Sequence, residues 1–251
     1  MNRYYATQIR PVIPAANIAA HQAGAMAAND VLFDWQALKI PRGGGLLTSI
    51  SYLGVGIDTA ADDMGLKFIF AKNNNVSLGA SHAQPLGLVE RDQIIGAVDV
   101  SKTDDLANLN IGPDANHRFY QNNLANPHNP IFIGDYANDF DTTTNPGFVT
   151  IYVAVCVLEA NNFSIGITLD QAGNQAATTT ETTLTVADVD ATSILRVGDT
   201  LVASNDGAVI GNVTSVDSTT SIKVDKVAEA LEDDDELFVT NPLIFNFGFQ
   251  I

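Results

Sequence analysis

The last nine residues, Leu243 to Ile251, constrain the fold more than any other segment. Leu243, Phe245, Phe247, Phe249 and Ile251 fall on one side and Ile244, Asn246, Gly248 and Gln250 on the other, which is the two-residue period of a β-strand. Large apolar side chains gain roughly 1.5–3 kcal/mol each on full burial, so this segment is expected to dock into a sheet. The stretch before it, from about Ala176 to Asn241, reads as a separate small module. The final strand is therefore expected to return to the main domain.

A chain of 251 residues with 46% hydrophobic residues can build one large β domain or two smaller ones without disulfides. Its single cysteine, Cys156, lies in VTIYVAVCVLE, where both alternating faces are apolar, so it reads as a buried small hydrophobe. Only 16% of residues are charged, yet 29 acidic side chains face 12 basic ones for a net charge of −17. Such a surface repels nucleic acid phosphates and anionic membranes. Neither is expected as a partner. MNRYYATQIRPVIPAANIAA lacks the continuous apolar core of a secretory leader, and no apolar run reaches membrane-spanning length.

Residues 11–29 carry no acidic or basic side chain apart from His21, and Pro11 and Pro14 favour extended backbone. Residues 1–29 are read as an N-terminal arm. From Asp30 onward the runs VLFDWQALKI, LLTSISYLGVGI, GLKFIFAK, QIIGAVDV, IFIGDY, FVTIYVAVCVLEA and FSIGITL alternate with Gly, Pro, Asn and Asp clusters, the cadence of an all-β protein. Ser101 to Asn129 has few apolar residues and reads as a long surface excursion. After a polar tether, NQAATTTETT, residues 176–241 read as about five short strands, including SILRVGDTLVAS, with reversals at Asn205-Asp206-Gly207 and at Ser218-Thr219-Thr220. This module holds thirteen acidic and three basic residues, more than half of the chain's net charge.

The expected architecture is all-β: a jelly-roll-like β-sandwich over residues 30–175 plus 242–251, with a small acidic β-barrel module, 176–241, inserted before the C-terminal strand.

Catalytic chemistry finds little support. His21, His82, His117 and His128 are scattered through polar segments without zinc-ligand spacing, and no nucleophile elbow, P-loop or dinucleotide fingerprint occurs. Paired carboxylates such as Asp62-Asp63 and Asp104-Asp105 mean little in so acidic a chain. In DYANDFD, Asp135, Asn138, Asp139 and Asp141 could supply hard oxygen ligands for calcium, but the run lacks EF-hand spacing and glycine, and solvated turn residues are the favoured reading. The run Glu232 to Glu236 reads as a charged loop guarding a strand edge. Trp35 reads as core or interface. No cofactor and no enzymatic activity are expected.

ANDVLFDWQALKIPRGGGLLTSISYLGVGID, GLKFIFAKNNNVSLG and NPGFVTIYVAVCVLEANNFSIG resemble virion structural proteins of marine tailed bacteriophages, cyanophage-like relatives included. The module RVGDTLVASNDGAVIGNVTSVDSTTSIKV with ALEDDDELFVTNP is similar to small β modules of such particle proteins. The resemblance implies a head decoration or cement protein, commonly trimeric, bound to the major capsid protein, and a net charge of −17, repelled by packaged DNA, puts it on the outer surface of the capsid. A tail or receptor-binding component and a small jelly-roll major capsid protein are the alternatives.

Overall fold

The structure, a computed structural model, describes residues 3–12, 26–43, 45–55, 65–81, 83–85, 93–100, 109–110, 117–123, 132–133, 147–158, 166–187, 190–204 and 207–251. In chain order the strands are β1 (Tyr4–Ile9), β2 (Val31–Pro41), β3 (Gly45–Val55), β4 (Leu66–Ala71), β5 (Ile94–Val100), β6 (Leu109–Asn110), β7 (His117–Asn123), β8 (Phe132–Ile133), β9 (Phe148–Val157) and β10 (Ile167–Leu169). There follow β11 (Thr182–Ala187), a single helical turn α1 (Ala191–Ile194), β12 (Thr200–Ala203), β13 (Val209–Ser218), β14 (Ser221–Val224), β15 (Glu236–Val239) and β16 (Leu243–Gln250). The described fold is all-β apart from that turn.

The C-terminal strand lies inside a sheet. β16 pairs antiparallel with β1 on one side and β3 on the other, setting Phe249 opposite Tyr5 and Phe245 opposite Tyr52. Leu243, Phe245, Phe247 and Phe249 are buried, as the alternation requires. Ile251 departs from the expectation and is 41% exposed. Pairing with β3 ends at Gln250 opposite Leu46, so Ile251 extends past it, with its backbone bonded to that of Arg3.

Two antiparallel sheets face one another, ordered β1-β16-β3-β7-β6, with β8 also on β3, and β2-β9-β4-β5. Their inner faces interlock through rings: Phe33 meets Phe245 at 5.4 Å, and Phe68 and Phe70 each meet Phe247 edge-on at 5.9 Å. These separations and tilts suit the aromatic quadrupole. β7 corrects the reading of 101–129 as a surface excursion throughout, because His117 to Asn123 hydrogen-bond along β3. A polar segment can serve as a strand when its backbone groups complete a ladder, and alternation gives no warning of it.

The double-sided apolar pattern of β9 has a simple cause. Val149, Ile151, Val153, Val155 and Val157 enter the core between the sheets. Ala154 and Cys156, on the opposite face, pack with Val31, Trp35, Ala71 and Leu78 beneath the segment that follows β4. In β2 the register against β9 slips between Val31 and Phe33 and again between Phe33 and Gln36. Each extra residue is a bulge that exchanges the faces, which is how Phe33 and Leu38, five residues apart, share one core. Trp35 is core, as expected, on the outer side of the sheet.

The acidic module is a closed barrel, β10-β11-β14-β13-β12-β15. Closure uses Ile167 to Leu169, which bridges β11 and β15, so the barrel starts upstream of residue 176 and takes the end of the FSIGITL run from the larger unit. NQAATTTETT is not a free tether: Gln175 pairs with Leu231 and Thr178 with Val227 along the barrel wall. SILRVGDTLVAS is not one strand either. Asp190 caps α1 by accepting the Thr192 N–H at 2.8 Å, and the chain turns through Gly198 (φ 92°) before β12. β12 and β13 form the expected hairpin, with Gly207 at φ 74° in its turn; Asn205 and Asp206 lie outside the described residues.

The barrel is joined to the sheets by buried contacts. Leu201, Ala203, Leu237 and Val239 fill its interior, whereas the intervening Val202 and Phe238, paired across β12 and β15, belong to the core of the two-sheet unit. A Cβ at Gly166 would come within 2.7 Å of the Phe238 ring, so the chain entering the barrel passes flush against this plug. Arg10, just after β1, pairs with the buried Asp199 and donates from Nε to the Asn241 carbonyl at 3.1 Å.

Candidate binding surfaces

The calcium candidates Asp135, Asn138, Asp139 and Asp141 lie outside the described residues, as do His21, His82 and His128 and residues 13–25 of the arm. His117 opens β7 instead of lying in a loop. Among the described residues no three His, Cys, Asp or Glu side chains gather as a metal set. Cys156 is buried, and desolvation pushes its thiol up to about 11, which holds it protonated and unreactive at neutral pH.

The outer face of the β2-β9-β4-β5 sheet is largely occupied. Asp34 accepts the Leu78 N–H at 2.9 Å and the Ser77 hydroxyl at 2.5 Å, and the Trp35 indole donates to the Val76 carbonyl at 2.8 Å. Gln93, fully buried, donates to the Asn73 carbonyl at 2.8 Å. These bonds clamp residues 72–81 over the hydrophobic layer around Trp35. An open depression of about 400 Å³ beside Asp34, Ser77 and Val12 remains, but its polar groups are engaged in holding the segment. The exposed remainder of this face carries charge, including Lys39 and the Lys67–Asp99 pair at 3.6 Å.

The outer face of the other sheet is different. By register and burial it presents Tyr4, Ala6 and Gln8 from β1, then Ile244, Asn246, Gly248 and Gln250 from β16, and Leu46, Thr48, Ser49 and Ser51 from β3. None of these is charged at neutral pH. Gln8 donates to Asn246 at 2.9 Å, Thr48 donates to the Gly248 carbonyl at 3.1 Å, and Tyr4 stands 74% exposed at one end. A Cβ at Gly248 would collide with the Ser49 hydroxyl, so glycine keeps the surface level there. Among the described residues no helix or strand is laid across this face.

The barrel presents the acidic surface. Its run from Glu232 folds on itself, with Asp235 accepting the Glu232 N–H at 2.7 Å, Asp233 accepting the Gln171 N–H at 3.0 Å, and Asp234 at φ 70°. The edge-guarding role expected of it does not apply, because β15 is paired on both sides within the closed barrel. Hydrogen bonding from Ser215 and the nearby Lys223 ammonium hold the Asp217 carboxyl below its ordinary value. The backbone and side-chain N–H groups of Asn212 do the same for Asp225.

Sequence reasoning found the buried terminal strand and the acidic module but missed the neutral sheet face. The signal was available in the alternate residues of β16, Ile244, Asn246, Gly248 and Gln250, which are uncharged in a chain of net charge −17. No protein-family model matches the sequence, and no curated protein matches it.

Proposed function

We propose that this chain is a virion structural protein, an outer capsid decoration or cement protein that binds the major capsid protein and acts by adhesion, without turnover. The observation that carries the reading is strand order. We read β1-β16-β3-β7 facing β2-β9-β4-β5 as a jelly roll, eight antiparallel strands wound as two Greek keys, a fold used by viral capsid and lectin domains. The chain crosses between the sheets from β1 to β2, β2 to β3 and β3 to β4, and returns last through β16, with the barrel inserted between β9 and β16. Three of the sequence phrases resembling phage particle proteins contain β2, β3, β4 and β9 of these sheets. A body of charge −17 is repelled by packaged DNA, which favours the outside of the shell.

In this role the protein works as a homo-oligomer, with a trimer favoured, whose weak individual footprints add through avidity of roughly 10²–10⁴-fold. Counting copies per purified particle by quantitative mass spectrometry tests the reading: hundreds of copies, removable without opening the shell, are expected. Tens or fewer would indicate a tail component and overturn the decoration role. The jelly-roll order also suits a shell protein, and closed shells assembled from the pure chain alone would favour that second reading.

A further inference from the structure

We infer that the uncharged outer face of the β1-β16-β3 sheet is the surface through which copies of this chain meet one another. The argument rests on the fold and charge alone and stands or falls separately from the virion role. Two bodies of charge −17 repel over about one Debye length, roughly 8–10 Å at physiological salt, so copies pack most readily where the facing surfaces add no like charge to that repulsion. The outer face of the opposite sheet is partly covered by the segment bonded to Asp34 and Trp35, and the barrel fails the condition through its carboxylates. The β1-β16-β3 face meets it.

Its shape suits a sheet or strand edge of a second copy. Asn246 and Ser51 stand directly opposite each other, Gly248 and Ser49 form the level centre, and the Gln8 amide bonds inward to Asn246. Amides and hydroxyls donate and accept, so the surface can satisfy a copy of itself without a complementary charge. With six residues in β1 and eight in β16, the three-strand face covers about 14 by 20–27 Å, on the order of 300–400 Å². That is at most about half of the ~800 Å² per partner of a self-standing interface, the size of a weak, reversible contact.

Sedimentation velocity on the full chain tests this. The wild type is expected to associate with rising concentration between about 1 and about 300 μM, and more strongly when salt is raised from about 20 to about 300 mM, because screening removes the repulsion. Ser51→Glu should weaken association roughly tenfold or more. Gln250→Glu, at the last residue of β16, should act in the same direction and keeps the test decisive if Ser51→Glu does not fold by circular dichroism. Ala37→Glu adds the same charge to the outer face of the other sheet and should leave association unchanged. A wild type that stays monomeric throughout, or an oligomer indifferent to both face variants, overturns the inference.

Discussion

Arg10 and Asp199, 189 residues apart in sequence, form an ion pair that joins the end of β1 to the barrel. Asp199 is fully buried and also accepts the Arg196 N–H at 2.8 Å, while Arg10 is one-third exposed and reaches the Asn241 carbonyl just ahead of β16. One guanidinium thus touches the first strand, the barrel and the segment leading into the last strand.

Removing this guanidinium leaves a buried carboxylate with a backbone N–H but no cation. Because Arg10 is partly solvated, the expected loss for Arg10→Met is about 1–3 kcal/mol, less than for a fully buried pair. Asp199→Ala should cost more, since the Arg196 N–H loses its acceptor as well. Urea unfolding midpoints measure both, and variants as stable as the wild type would contradict the role assigned to the pair.

Phe238 faces out of its own barrel, yet it is buried in the core of the two-sheet unit. Phe238→Ala should destabilise the protein by roughly 3–5 kcal/mol, as for other buried rings, and should split a single unfolding transition into two. Calorimetry gives the readout. An unchanged single transition would mean that the barrel does not depend on this contact.

With its thiol pushed up to about 11 by burial, Cys156 should resist thiol reagents in the native protein at neutral to mildly alkaline pH. Labelling should proceed at the rate of unfolding and become complete in denaturant. Fast labelling under native conditions would show the layer above β9 to be open.

Asp217 and Asp225 have folded-state pKa values below the usual 3.8. A carboxylate lowered on folding contributes stability that is complete above its unfolded value and is lost as pH falls through the folded one. The β13–β14 region should therefore loosen only below the ordinary carboxylate range. Following the Asn212 amide by NMR from roughly pH 5 to pH 2 should show this, and Asp225→Asn should remove most of the dependence.

Much of this fold was legible where a single physical requirement dominated. The alternating Phe245, Phe247 and Phe249 had to be buried, and β9, apolar on both sides, had to be covered on both. Misreadings occurred where pairing or register decided. The polar β7 is a strand because β3 needs a neighbour, Ile167 to Leu169 joins the barrel because the barrel must close, and α1 forms around the Asp190 cap within a run that looked extended. The neutral face escaped notice because neutrality becomes conspicuous only when β1, β3 and β16 are laid side by side.

Electron cryomicroscopy of the native particle that carries this chain tests the central claim most directly. The account predicts a two-sheet body with its attached barrel on the outer surface of the capsid, repeated in many copies and contacting the major capsid protein. Density for the chain inside the shell against packaged DNA, or confined to a few copies on a tail, would contradict it.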